Sequence, residues 1–430
     1  LRNALRNSSF RALWGAQAIA TTGHQVAAFA LPTLAITELH ASALQVGIIT
    51  ALGFLPSTVL GVLAGLVADR WSKRRLMLIA ESGRAFVIGL VAVATFFGHM
   101  PLGLIYVAAA VSGLLGLMFE VAYQSYVPEL IVARDLAGAN GALEINRSGG
   151  TVMGPALSGG LIHVVGIAGA LFSAAAALAA SVGVLSIAGS GPSKKSARHS
   201  GLWADLREGL GAVLFDRRLL FISLCTATSN LGAFAFSAVA LVFAYRTLGM
   251  SPGQYGIVAA VGNLGLVGGA VAAAPLARRF GIGRTLFGAI GLVGVAMALT
   301  PLAAIGLAAV VLASAQLITN FMLPVYGINQ VALRQSITPR DLQGRMNSVM
   351  RTIALSTIPM GSIAGGMLAG QVGPTAAMSI AGGVACLAPL WLIGLLSLDR
   401  LPAQPAVDRH RTQNPAAMPS TVPAAAFANG

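Results

Sequence analysis

Long apolar stretches recur along the chain from Leu13 almost to Asp399, separated by short polar loops. Each is long enough to cross about 30 Å of hydrocarbon, which takes roughly 20 helical residues. The predicted helices run from Leu13 to Thr37, Leu44 to Ala68, Leu76 to Phe97, Leu102 to Val127, Ala142 to Val164 and Ile167 to Ala188. A second set runs from Leu219 to Tyr245, Gln254 to Leu276, Thr285 to Leu302, Ala304 to Val331, Asn347 to Ala369 and Ala376 to Leu398. The pattern predicts an all-α membrane protein of twelve transmembrane helices.

Composition supports lipid as the main solvent. Of the 430 residues, 56% are hydrophobic and only 9% charged, against about 45–50% and about 25% in soluble domains. A soluble shell cannot be built from so few charges. The net charge of +14 would suggest nucleic acid in a soluble domain, but the placement of the bases excludes a basic patch. Nearly all fall in alternate loops: Arg2, Arg6 and Arg11; Arg70, Lys73, Arg74 and Arg75; Arg134; Lys194 to Arg218; Arg278, Arg279 and Arg284; Arg334, Arg340 and Arg345; Arg400 to Arg411. The intervening loops hold almost only Arg246. This is the positive-inside pattern, and it predicts a multi-pass protein of a bacterial-type inner membrane with both termini cytoplasmic.

Cys225 and Cys386 lie inside apolar spans, with no disulfide framework or metal spacing. The first apolar run is too long for a removable signal and lacks a small-residue cleavage site, so it is expected to be a span. A membrane enzyme would need clustered ligands or a nucleophile with its base, and none is evident. No Gly-x-x-x-x-Gly-Lys-Ser/Thr loop occurs in the 430 residues, which argues against direct ATP drive.

The chain divides into a six-helix half over 1–188, a basic linker over 189–218, a second six-helix half over 219–398 and a Pro/Ala-rich tail over 399–430 that reads as disordered. Leu202 to Leu210 in the linker suits an interfacial amphipathic helix. The halves also echo each other. Arg134-Asp135-Leu136-Ala137-Gly138 recurs as Arg340-Asp341-Leu342-Gln343-Gly344, and Gly159-Gly160 recurs at the same offset as Gly365-Gly366. Parallel repeats with a substrate cavity at their interface are a transporter architecture.

Several motifs carry a family resemblance. Gly65-Leu66-Val67-Ala68-Asp69-Arg70-Trp71-Ser72-Lys73-Arg74-Arg75 resembles the loop between the second and third helices of the major facilitator superfamily. There Gly65 would admit a close helix, while Asp69 would face a positive helix N-terminus and pair with Arg70 or Arg74, holding one alternating-access state. The matching position in the second half is Ala277, so this lock is expected to be asymmetric. Gly141, Gly150, Gly154-Pro155 and Ser158-Gly159-Gly160 look like the antiporter motif of proton-coupled drug exporters, with Ser158 where Gly is usual. Ordinary small-residue packing would use the same residues. Trp14-Gly15-Ala16-Gln17, Ser42 to Gly47, Trp203 to Gly209 and Gly344 to Val349 add a similarity to the macrolide-efflux and enterobactin-exporter branch, over about residues 8 to 398. That branch tends to place an Asp after the glycine of the first helix; this chain has Gly23-His24, so that acid's role is absent or taken by His24.

Ionisable groups within spans are candidates for coupling. They are Glu81, Glu120 and Glu144, the bases Arg84, Arg147 and Arg351, and His24, which titrates near neutral pH. Glu81 and Arg84 share a helical face near the Asp69 loop and read as structural. Glu120 and Arg147 lie equally deep and are expected to meet across their helix pair. Either Glu120 binds and releases a proton while Arg147 comes and goes, or the two form a permanent ion pair; Glu144 competes for either role. Candidate cavity residues are Tyr123, Gln124, Asn146, Asn230, Asn320, Tyr326, Asn329 and Gln330.

The resemblance and these residues together imply a monomeric exporter of amphipathic small molecules, drugs, macrolides or siderophores among them. It would be driven by the proton gradient without a cofactor, metal or nucleic acid. Proton-independent or uptake transport, lipid handling and a non-transporting receptor are the alternatives.

Overall fold

The structure, a computed structural model, describes residues 6–132, 135–188, 216–339 and 342–396, side chains excepted at 62–70, 137 and 345. The expected amphipathic helix at Leu202 to Leu210, most of the linker, the tail, the paired Arg-Asp motifs at 134 and 340–341, and the side chains of Gly65, Asp69 and Arg70 therefore lie outside the described residues.

Polar side chains immediately outside the apolar runs set many of the helix starts. The first half comprises α1 (Ser8–Thr37), α2 (Ala43–Arg70), α3 (Lys73–Phe96), α4 (Leu102–Leu130) and α5 (Leu136–Ser186). Asn7 caps α1 by accepting from the Phe10 amide at 3.1 Å and ties it to α4 by donating to the Leu130 carbonyl at 2.8 Å. Ser72 caps α3. The second half comprises α6 (Arg217–Val242), α7 (Pro252–Phe280), α8 (Ile282–Leu299), α9 (Ala308–Ile337), α10 (Gln343–Val372) and α11 (Pro374–Leu387). Short irregular turns, Phe243–Thr247, Thr300–Ala304 and Ala388–Leu395, extend α6, α8 and α11.

Eleven helices among the described residues are long and apolar enough to cross a membrane, yet they make twelve passes. Gly166, with φ 74 and ψ 174, breaks α5 into two limbs. Trp14 near the start of α1 donates to the Ala142 carbonyl in the first limb. Arg74 at the start of α3 donates to the Ser186 carbonyl at the end of the second. Both ends of α5 therefore lie at the basic-loop end, and the glycine turns the chain back at the other.

Among the described residues the halves share a core at one end only. One apolar cluster joins Leu34, Ala35, Val46 and Ile49 of the first half to Val239, Phe243, Val258, Leu312 and Met378 of the second. At the basic-loop end each half keeps its own: Phe10, Leu13, Met77, Phe119, Tyr126 and Leu185 in the first, and Ile222, Leu286, Tyr326, Leu333 and Leu392 in the second. Among the described residues, the molecule is thus sealed at the end away from the basic loops and its cores are separate at the other.

Two related seams make the seal. Ser42 and Gln45 exchange bonds at the start of α2, Ser42 N to Gln45 Oε1 at 2.7 Å and Gln45 N to Ser42 Oγ at 3.3 Å. Ser251 and Gln254 form the same capping box at the start of α7. Two residues beyond each Gln, Gly47 packs on the Ser362 carbonyl of α10 and Gly256 on Pro155 of α5. The repeated glycine pairs complete these seams: Gly366 lies against Ala43 and Leu44, and Gly159 against Pro252 and Gly253.

Candidate functional site

The face of α5 that joins the other half at the seal continues downward into the gap. Gly159, Pro155 and Thr151 touch α7; one turn below Thr151 on the same face are Arg147 and Ser148, then Glu144. Arg147 grips Glu144 with two bonds of 2.9 and 2.8 Å, and Ser148 adds a third to the same carboxylate. Both ion-pair partners are exposed, at 76% and 55%. On the facing half, Arg351 lies one turn below Leu355, whose carbonyl accepts from Thr58 across the other seam at 3.2 Å, and is likewise exposed.

The expected Glu120–Arg147 contact is not formed. Arg147 has a nearer carboxylate three residues back on its own helix, and Glu120 accepts from Gln124 at 2.5 Å. Glu120 remains within electrostatic reach of Arg147 and of Tyr123, whose ring stacks on Phe119 at 5.9 Å. Glu120, Tyr123, Gln124, Glu144 and Arg147 are thus neighbours on one wall.

Midway between Leu136 and Gly166 a polar chain crosses from one half to the other. Asn320 of α9 donates to Asn263 Oδ1 of α7 at 2.8 Å; Asn263 donates to the Thr151 carbonyl of α5 at 2.7 Å; Gln25 of α1 donates to the Thr151 hydroxyl at 3.4 Å. Gly150 and Gly154 leave room for Thr21 and Gln25, and Ser158 donates to the Gly154 carbonyl at 2.6 Å. Gly141 and Gly160 of the same motif have no neighbour within 4 Å of a Cβ position. Sequence reasoning omitted Gln25, Thr151 and Asn263. Asn263, a lone amide in the apolar run from Ile257 to Leu276, was the signal available.

Other expected cavity residues serve as clasps within a half. Asn146 donates to the Trp14 carbonyl at 2.8 Å. Asn329, buried, donates to Ala273 and Val325 carbonyls at 3.0 and 2.8 Å. Tyr326 is buried with its hydroxyl 2.9 Å from that of Thr226. These two correct the expectation that both line the cavity: facing helices of the second half need the amide and the hydroxyl to satisfy buried groups. Asn230 reaches the Ala354 carbonyl at 3.5 Å, and Gln330 Oε1 is buried without a partner.

Glu81 is 1% exposed, and its nearest basic side chain is not Arg84 on its own helix but His24 of α1. His24 Nε2 lies 3.1 Å from Glu81 Oε1, while Arg84 Nη1 stands at 3.8 Å. Across from Arg84, Gly116 of α4 leaves space beside the guanidinium. The second oxygen of Glu81 is buried without a partner. His24 and the Glu81–Arg84 pair, assigned separately from the sequence, form one cluster. Nearer the basic loops, Lys73 bonds Glu129 at 2.5 Å, so the first turn of α3 fastens this half internally through Lys73 and Arg74.

Comparison with known proteins agrees with this architecture. The chain is 28% identical over 421 residues to the multidrug efflux pump Tap of Mycobacterium tuberculosis, covering 95% of this chain and 96% of the relative. It is 28% identical over 400 residues to the MFS-type transporter YfiS of Bacillus subtilis, covering 90% and 91%. Among solved structures, a bacterial homologue of the iron transporter ferroportin in an inward-facing state superposes with a TM-score of 0.72 at 17% identity, over 90% of this chain and 98% of that one, a likeness of fold alone. The sequence profile of the Major Facilitator Superfamily matches residues 13–360 and again 234–427. A helical bundle of two six-pass halves, sealed along two related seams and matched to that profile over nearly its whole length, makes this chain a transporter of the major facilitator superfamily.

Proposed function

We propose that the chain exports uncharged or weakly basic amphipathic molecules in exchange for protons, as a monomer in a bacterial inner membrane, and that the structure is its inward-facing state. The one-sided seal carries this reading. The distribution of Lys and Arg assigns the basic-loop end to the cytoplasm, so the gap between the halves opens to the compartment from which an exported molecule is loaded. Its walls mix aromatic and apolar surface with few charges, Glu120 and the Glu144–Arg147 pair on one side and Arg351 on the other; charges that balance in this way favour a guest without strong net charge. The Tap relatives, named as multidrug efflux pumps, support the same direction. No cofactor is needed, since the gradient supplies the energy.

Ethidium efflux tests the proposal. Cells expressing the chain are expected to expel preloaded ethidium, and a protonophore that collapses the gradient is expected to stop it. Expulsion that continues after collapse would exclude proton drive. Inward accumulation of the dye would reverse the assigned direction.

A further inference from the structure

The cluster of His24, Glu81 and Arg84 has a composition that helix packing does not require. A carboxylate and a guanidinium three residues apart on one helix already balance each other. Here the closer bond of the carboxylate goes instead to a histidine from a different helix, the one side chain that titrates near neutral pH. The guanidinium, always charged, stands farther off.

The groups facing this cluster are few. α1 brings His24, and α3 brings Glu81 and Arg84. α4 brings Gly116 against the guanidinium, and its Glu120, one turn on, is bonded to Gln124. The second limb of α5 brings Ala174, Ala177 and Leu178 against Gly23. The cluster therefore has zero net charge with His24 neutral and one uncompensated positive charge with His24 protonated. An extra charge in a buried site is costly unless water reaches it, so occupancy by the proton follows the wetting of the site as the halves rock. His24 keeps 23% of its side-chain surface exposed and Glu81 only 1%. The histidine is the open end of the pair, and the carboxylate is the fixed acceptor behind it.

We infer that the His24–Glu81 pair is the carrier site for the transported proton. The proton adds to His24 Nδ1, the resulting imidazolium is held by the Nε2–H hydrogen bond to Glu81 Oε1, and the proton leaves from Nδ1 on the other side of the membrane, while Arg84 keeps Glu81 ionised throughout. The inference rests on the proton-driven reading above. Glu144, exposed and doubly bonded to Arg147, is a wall of the loading gap instead.

The test uses purified protein in proteoliposomes with ethidium as the probe. Wild type, His24→Gln and the charge-neutral pair Glu81→Gln/Arg84→Gln are compared for ethidium exchange without a gradient and for its accumulation ratio under an imposed pH gradient. Wild type is expected to exchange and to accumulate; in both variants the accumulation ratio is expected to fall to one while exchange continues. A variant that still accumulates overturns the site. A wild type that exchanges dye but holds a ratio of one at every gradient overturns proton drive itself, a separate failure. Infrared pH-difference spectra need no transported molecule: a carboxylate stretch that shifts in step with an imidazole titration in wild type is expected to be lost in both variants, through loss of the imidazole in the first and of the carboxylate in the second. Its survival in His24→Gln, or its absence from wild type, overturns the inference.

Discussion

At Gly159 a Cβ would stand 2.7 Å from the Pro252 carbonyl oxygen and 3.2 Å from the Gly256 Cα, whereas at Gly160 it would meet nothing. The difference gives a sharp prediction. Gly159→Ala crowds a backbone contact in the seal, at a cost of about 1–3 kcal/mol, and shifts the population away from the state described here by about tenfold. Gly160→Ala leaves the seal intact. Spin labels on the loops at the sealed end read both as distance distributions: broadened and lengthened for the first, unchanged for the second. The sequence marked both glycines as one motif and could not separate them. The same limit applied to Asn320 and Asn329, nine residues apart on one apolar helix. Lipid and protein interior are equally apolar, so no periodicity tells which face of such a helix meets the other half. His24 and Glu81, 57 positions apart, became partners only because α1 and α3 both pack against α5.

Whole elements were more legible, because apolar length and loop charge are local properties. The expected break between Val164 and Ile167 is where Gly166 turns α5 back. Helices overran the apolar runs into polar flanks, as α1 does from Leu13 back to Ser8 and α9 from Val331 on to Ile337, since a helix ends where its backbone hydrogen bonds end, at α1 with the Asn7 cap, and not where hydropathy falls. The capping boxes at Ser42 and Ser251 were a second repeat in the sequence, Ser-x-x-Gln-x-Gly, that identifies α2 and α7 as counterparts. Ser251→Ala removes the acceptor for the Gln254 amide and is expected to cost about 1 kcal/mol. It should appear as a lowered unfolding midpoint in detergent, with the accumulation ratio of ethidium unaltered. An unshifted midpoint would mean that the cap adds nothing to α7.

For the whole molecule, two halves meeting only at one end leave any opening at the other to rigid-body rocking about the seams. On the sealed side, Arg246 reaches from beyond α6 to the Ala41 carbonyl at 2.8 Å, and Thr33 meets Tyr245 at 3.0 Å, so the seal is fastened by polar contacts as well as by its apolar core. The turn at Gly166 has a mechanical consequence. The first limb of α5 carries the seam with α7, and the second limb lies against Gly23, next to His24. A connection of one residue has no slack, so a limb pulled by the opening seam drags its neighbour, and the wall beside the histidine moves whenever the far half does. Inserting two glycines after Gly166 would loosen that crank. Such a variant is expected to carry ethidium in both directions yet fail to concentrate it, a transporter whose two strokes have slipped out of phase.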